Sequence, residues 1–440
     1  MQTMRKLLWL FAPHSAATTA MAILFALAPA GSASAYAFKN LHSFCKGQTC
    51  GDGADPWGSL LIDQSGSLYG TTIAGGKYQA GLVFKLIPNG DGTYKEYVLH
   101  NFCARANCAD GQGPFAGLIM DIDGNLYGTT QNGGKHGSGV VFKLTHKMAG
   151  WSLSVIHSFC SGSSCAGGSY PRTGLTYSGQ ASGAPWNEFS PLFGTTQYGG
   201  TNGQGVAYKL AADGGLWDYE VIHSFKAVAG ADTALPSLPL VDSSGNILGL
   251  TASGGKFGYG VLYKLAAGSW KETTLHNFCD PAIGCADGAS GYGQLAMDAA
   301  GNLFGTTWYS DCGQHSCDFG IVFERTAGGT YSVIDHICGG IGCPEGEFPL
   351  GLIIDASGNL FGTTEEGGTD DAGTAFQLSY DSGQQQWIET TLYKFCSEEP
   401  DCTDGKTPEG PPILDSAGNL FGTTSGGGAG ANGAVFELTP

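Results

Sequence analysis

From residue 36 onward the apolar residues fall in short runs broken by Gly, Asp and Asn, and no run keeps a helical period. Residues 116–159 show the unit most clearly. Ala116–Asp121 is a short apolar run, and Asp121-Ile-Asp-Gly-Asn125 has the residues of a tight reversal. Asn125-Leu-Tyr-Gly-Thr-Thr130 is a second run, and the loop Gly133–Gly139 follows. Val140–Leu144 and Trp151–Phe159 are the third and fourth runs. Val, Ile, Leu, Phe, Tyr and Thr dominate these runs, and Gly and Asp clusters bound them. This pattern predicts four short strands and no helix.

The unit recurs. Gly-Thr-Thr stands at Gly70, Gly128, Gly194, Gly305, Gly362 and Gly422, and Gly249-Leu-Thr251 is an altered copy. The intervals are 58, 66, 55, 56, 57 and 60 residues. Four strands at a period near the roughly 50 residues of a kelch repeat predict an all-β chain, a seven-bladed β-propeller with four antiparallel strands per blade. A linear β-solenoid is the alternative, but its repeats are usually shorter. The chain's ends separate the two. The seventh copy stops at its third strand, Val435–Leu438. A fourth-strand sequence, Phe38-Lys-Asn-Leu-His-Ser-Phe44, stands at the opposite end. The expectation is a ring closed by residues 36–44, which supply the outer strand of blade seven and leave no open edge there.

Asp-x-x-Gly-Asn-Leu-[Tyr/Phe]-Gly-Thr-Thr-x-x-Gly-Gly followed by Gly-x-Val-Phe-Lys-Leu resembles the GloVer-type tandem repeat of bacterial "choice-of-anchor" exported proteins. The resemblance covers residues 36–440. It implies export but no defined activity, so it assigns no catalytic residue. Many relatives carry a C-terminal anchoring signal. The ending Phe436–Pro440 shows none, and release rather than attachment is the expectation.

Residues 1–35 read as a signal peptide: basic Arg5 and Lys6, an apolar stretch from Ala20 to Ala30, and Ala33-Ser-Ala35 as the cleavage signal. Residues 36–440 are then one secreted or periplasmic bacterial domain with no membrane span, expected to be a monomer. That part holds 18 basic and 38 acidic residues, a net charge of −20. Such a field repels nucleic acid and strongly anionic polysaccharides. A neutral glycan, a cation or an extracellular protein suits it better. Gly makes up 73 of 440 residues, well above the usual share of about 7%, yet 42% of the chain is hydrophobic. Tight turns between strands explain both numbers, and disorder does not.

The 14 cysteines form seven close pairs: Cys45 with Cys50, Cys103 with Cys108, Cys160 with Cys165, Cys279 with Cys285, Cys312 with Cys317, Cys338 with Cys343 and Cys396 with Cys402. An even count behind a signal peptide reads as disulfides. Six pairs follow the fourth strand of a repeat. Cys312 and Cys317 instead lie between strands two and three of copy five. The pairs are too widely distributed for a zinc ribbon. No cofactor is called for. Calcium is the alternative at the Asp-Gly loops of Asp52, Asp110, Asp287 and Asp404.

Loops after strands two and four should share one rim, where a rigid scaffold can carry function. His42, His100, His157, His223 and His276 share one register in strand four, where the other two copies have Asp335 and Tyr393. A residue repeated this often reads as structural. Function is expected where the repeat breaks, above all at Trp308-Tyr-Ser-Asp-Cys-Gly-Gln-His-Ser-Cys-Asp318 and at Glu365-Glu366. Asp311, Asp318, Glu365, Glu366 and His315 are the candidate acid/base residues. Trp308, Tyr309, Tyr198, Tyr259 and Tyr292 are candidate sugar platforms. The expected function is glycan binding without chemistry on the stapled rim. The alternative is a carbohydrate-active hydrolase or lyase using rim carboxylates.

Overall fold

The computed structural model describes residues 36–440 apart from 48, 149, 181–184, 227–233, 311–318, 339–341 and 399. The signal-peptide segment therefore lies outside the described residues, as do Asp311, Cys312, His315, Cys317 and Asp318. The chain is all-β, with only short 3-10 turns besides strands, and its small antiparallel sheets are arranged like a propeller. No helix among the described residues is long and apolar enough to cross a membrane.

The second repeat forms strands Ile119–Met120, Leu126–Thr130, Val140–Lys147 and Gly150–Ser158, paired in chain order. The hydrogen-bonded sheets number six among the described residues, where the repeat predicted seven. One has eight strands: Ala289–His336 and Glu347–Lys394 each supply a four-stranded meander, joined by one parallel bridge between Gln294 and Gly351. The strand Ala37–Ser43 pairs antiparallel with Ala434–Thr439, so the two ends of the chain share a sheet.

The repeated residues have identifiable tasks. A Cβ on the Gly of each Gly-Thr-Thr would meet the third-strand aromatic ring, at 2.5 Å from Phe84 for Gly70 and 2.4 Å from Phe436 for Gly422. Only Gly lets strands two and three lie this close around a ring. The turn Asp carboxylate takes the N–H groups two and four residues on and the Asn side chain, as Asp121 does with Asp123 and Asn125. In the Thr pair, the second hydroxyl bonds its own strand end, as Thr72 bonds the Ala74 carbonyl. In most repeats the first reaches the next repeat: Thr71 donates to the Ala116 carbonyl at 3.0 Å, Thr129 to Thr173 at 2.8 Å and Thr363 to Gly410 at 2.9 Å. Thr423, in the last repeat, donates to Gly58 in the first.

The core follows the same repeat-to-repeat logic. The Phe ending a fourth strand is fully buried against the third-strand ring of the following repeat, as Phe102 against Phe142 and Phe159 against Tyr208. Phe44, beyond the N-terminal strand, packs in this way on Phe84, with ring centroids 5.1 Å apart.

The register of repeated histidines forms a ladder between neighbouring outer strands. Each member faces the residue four before the equivalent position of the next strand. His157 stacks on Tyr219 at 3.8 Å, His276 on Tyr331 at 3.7 Å and Tyr393 on Phe38 at 4.5 Å. Several members also meet the acid of the adjoining Asp-Gly loop: His100 to Asp110 at 3.1 Å, His276 to Asp287 at 2.9 Å and Tyr393 to Asp404 at 2.6 Å. The partners of these three are thus side chains, in keeping with a structural role. His336, one residue off this register, is exposed.

Six disulfides are formed among the described residues, at Cys45–Cys50, Cys103–Cys108, Cys160–Cys165, Cys279–Cys285, Cys338–Cys343 and Cys396–Cys402. They are six of the seven pairs that the spacing predicted. The seventh, Cys312 with Cys317, falls within 311–318 and so lies outside the described residues. Five of the six share a further device. The carbonyl of the second Cys accepts two N–H groups, from its own loop and from the Gly-Gly loop of the same repeat; for Cys108 the donors are Gly111 and Gly134. The staple thereby fixes the loop after strand two as well as the loop after strand four.

Candidate functional site

In most repeats a Pro precedes the innermost strand, and its ring closes over the Gly that starts the third strand of the preceding repeat. A Cβ on Gly81 would sit 2.7 Å from Pro114, and one on Gly433 would sit 2.5 Å from Pro56. The residue just after this position is held at the mouth of a cavity of about 1370 Å³. In chain order the position carries Trp57, Phe115, Arg172 and Ser237, then Tyr292, Leu350 and Glu409, and all of them line the cavity. One backbone position thus presents a different chemistry in every repeat. Below the mouth the cavity walls are mainly apolar.

The aromatic residues of this mouth work in clusters. Trp57 meets Phe115 edge-on at 5.3 Å, and the Arg172 guanidinium lies 4.4 Å from the Phe115 ring centroid. Tyr292 stacks on Trp308 at 4.4 Å. Trp308 is braced edge-on by Phe348 at 6.0 Å, and so is Tyr309 at 5.8 Å. Among the described residues the buried Trp308 indole N–H has no hydrogen-bond partner. It is a donor left over inside an aromatic wall.

The acids complete the mouth. Burial, then the charge of Glu365, pushes Glu409 up to about 8, although Ser425 donates to its carboxylate at 2.9 Å and Arg172 opposes the rise. Burial and then the adjacent Glu366 raise Glu365. Tyr292 is raised by burial and senses Arg172, Glu409 and Glu365. These four side chains therefore share one electrostatic site.

Glu365 and Glu366 take opposite sides of their strand, as the two-residue period of a strand dictates. Glu366 lies opposite Glu347, and with Asp371 they bring three carboxylates within 4.8 Å, away from the mouth. Burial and then Asp371 raise Glu366. Tyr198 and Tyr259 are about half exposed at the tips of Gly-Gly loops and do not line the cavity. Trp308, Tyr309 and Tyr292 line the cavity together, and Glu365 joins them through its charge on Glu409 and Tyr292, whereas Tyr198 and Tyr259 do not. Asp311, His315 and Asp318, with the staple expected between Cys312 and Cys317, lie outside the described residues. Trp57, Phe115, Arg172 and Glu409 escape a motif search because they differ from copy to copy. The signal that finds them is the invariant place after the strand-opening Pro.

The Asp-Gly carboxylates are largely consumed by their own loops. Asp110 accepts from the N–H groups of Ala104 and Arg105 as well as from His100. Asp404 accepts from Ser397 and Tyr393. This leaves few free oxygens for the calcium that these loops invited.

The fold defines an all-β protein of small antiparallel sheets arranged like a propeller, with its candidate site at the inner mouth. The sequence matches the Gloeobacter/Verrucomicrobia repeat over residues 14–186, 179–342 and 310–440, and the chain belongs to that family. No curated protein matches it. Among solved structures it is similar to a polysaccharide lyase, an ulvan lyase bound to GlcA(1-4)Rha3S, at 10% identity and a TM-score of 0.50, over 88% of this chain and 94% of that one. An acylaminoacyl peptidase from Pyrococcus horikoshii matches at 11% identity and a TM-score of 0.43, over 90% of this chain and 52% of the other. TolB from Acinetobacter baumannii matches at 12% and 0.36, over 87% and 79%. At such identities the likeness to the lyase concerns the fold.

Proposed function

We propose that this chain is a secreted bacterial propeller of seven blades that binds a neutral glycan at its cavity mouth. Residues 1–35 act as a cleaved signal peptide, and residues 36–440 form one monomeric ring whose seventh blade is completed by the N-terminal strand. The pairing of Ala37–Ser43 with Ala434–Thr439, the Thr423–Gly58 hydrogen bond and the Phe44–Phe84 packing support closure. The first repeats a pairing made within each repeat elsewhere in the chain, and the other two repeat contacts made between successive repeats.

The observation that carries the binding reading is the mouth itself. Stacked Tyr292 and Trp308, with Trp57 and Phe115, offer flat apolar faces, and Arg172 and Glu409 offer a few polar groups around a large concavity, with the charge of Glu365 acting on Glu409. A pocket of mostly apolar walls with few directed polar groups is the usual form of a small-molecule site. A sugar ring, apolar on its faces and polar at its edge, fits such walls. Asp311, His315 and Asp318, on the loop just after Trp308, belong to the same candidate site, and a disulfide between Cys312 and Cys317 ties that loop.

A second reading rests on Glu409. A carboxyl held up to about 8 is protonated at neutral pH and can donate a proton, while Glu365 can act as the base. Paired carboxyls of this kind serve glycoside hydrolysis. A panel of polysaccharides, scored for binding and for release of reducing ends, tests both readings. Binding without release that is lost in Trp308→Ala supports the first. Release that is lost in Glu409→Gln supports the second. Unchanged binding in a Tyr292→Ala/Trp308→Ala double variant would remove the mouth as the site.

A further inference from the structure

In the rung at the seam of the outer-strand ladder, the polar side chains are neither stacked nor hydrogen-bonded to one another. His42, on the N-terminal strand, faces Asp52 beyond the Cys45–Cys50 staple and Glu96 on the strand Tyr94–Asn101 of the neighbouring sheet. Its Nε2 lies 3.8 Å from Asp52 Oδ2 and 3.8 Å from Glu96 Oε2. Those separations exceed a hydrogen bond. His42 Nε2 and Glu96 Oε1 are buried and have no hydrogen-bond partner among the described residues. Two corresponding rungs hold their histidine directly. His276 bonds Asp287 at 2.9 Å, and the Nε2 of His223 lies 3.0 Å from Glu272.

We propose that His42, Asp52 and Glu96 form a zinc site that clips the N-terminal strand to the neighbouring sheet. One donor atom from each residue lies within 4.8 Å of the other two. Two ligands each about 2.1 Å from a tetrahedral zinc stand about 3.4 Å apart, so closing the cage needs shifts of only a few tenths of an ångström along the measured 3.8 Å edges. One imidazole nitrogen and two carboxylates leave the fourth position for water. Zinc accepts that mixed set, whereas calcium needs six to eight oxygens. The side chains of His42 and Glu96 are each 14% exposed and that of Asp52 is 26% exposed, so the cage is sheltered yet open to an entering ion.

The sequence explains why this rung differs. At the position of Glu96, the equivalent strands carry Leu153, Tyr219, Tyr331 and Phe38, none of which offers a carboxylate. Glu272 and Glu389 stand at the same position. Glu272 pairs with His223, while Glu389 faces Asp335 rather than a histidine. Only the rung at the seam between the chain's two ends therefore joins a histidine, a loop Asp and a cross-sheet Glu among the described residues. A bound ion there would join segments contributed by two different sheets.

The test uses residues 36–440 stripped with a chelator, then titrated with zinc alone and with calcium alone. Binding is read by calorimetry and by the melting temperature. The expected result is one zinc per chain, a melting temperature that rises with zinc, and no response to calcium. Glu96→Gln keeps the side-chain shape, and together with Asp52→Asn it should weaken zinc binding by about tenfold or more, since even outer-shell changes cost that much. Glu272→Gln, on the corresponding rung, should leave zinc binding intact. The absence of stoichiometric zinc binding, a preference for calcium, or undiminished binding in the Glu96→Gln/Asp52→Asn variant would each overturn the proposal.

Discussion

Two series of polar residues recur from repeat to repeat, and they obey different rules. The outer ladder, typified by His276, Tyr331 and Asp287, keeps nearly the same residue in each repeat and spends its polar atoms on neighbouring side chains. The inner mouth changes at every step, from Trp57 through Arg172 to Glu409, and leaves polar groups facing a cavity. Both series hold buried ionisable groups with displaced acidities. Burial lowers His157 to about 4 and lifts Glu389 to about 7 in the ladder, much as it lifts Glu409 at the mouth. Displaced acidity alone therefore does not mark a functional site. What separates the two is the company of the charged group. In the ladder it sits between strands, whereas at the mouth it sits beside aromatic faces and open volume.

The largest effect expected from breaking this contrast is structural. Phe44→Ala removes the ring that packs between the chain's two ends and should cost about 3–5 kcal/mol, as Phe102→Ala should at an interior junction. Chemical denaturation of both variants measures this, and a markedly smaller loss for Phe44 would show that the seam is not packed like the other junctions. Replacing Cys103 and Cys108 by Ser should cost roughly 2 kcal/mol, because the closed loop is short. Protease sensitivity should rise at the 131–139 loop, whose Gly134 N–H the Cys108 carbonyl holds.

At the mouth the order of effects reverses. Trp308→Ala should reduce glycan affinity by at least tenfold, about 1.4 kcal/mol, with little change in the denaturation midpoint. If stability falls and affinity does not, the stacked pair belongs to the scaffold. The smallest effect is a pH slope. A carboxyl raised in the folded state keeps its proton while the unfolded chain loses it, so stability falls as pH climbs from about 4.5 towards the folded value. For Glu409 that window extends to about 8, and for Glu96 and Glu389 to about 7. Glu409→Gln should flatten the decline between pH 7 and 8, and Glu96→Gln only the part below 7. Melting curves across this range distinguish them.

Much of the architecture was legible because it is written locally and repeatedly. Leu126–Thr130 and Val140–Leu144 could be placed from their β-forming residues and Gly boundaries, and six of the cysteine pairs from their close spacing. The number of separate sheets was not legible. The bridge between Gln294 and Gly351 depends on how two repeats approach each other, and no local pattern encodes it. The candidate site was only partly visible. Trp308, Tyr309 and Glu365 stand out as breaks in a repeat. Arg172 and Glu409 do not, because a position that always varies looks like noise in an alignment of the copies.

The sequence by itself determined the repeat, its strand order, the pairing of near cysteines and the displacement of one strand to the N-terminus, since each of these is a short-range or periodic signal. Only the tertiary structure decided which single residues meet. Trp57 and Glu409 are more than 350 positions apart, yet they line one cavity because the Thr423 hydroxyl holds the Gly58 carbonyl across the seam. Glu365 and Glu366 are adjacent, yet they part company because successive side chains of a strand point to opposite faces.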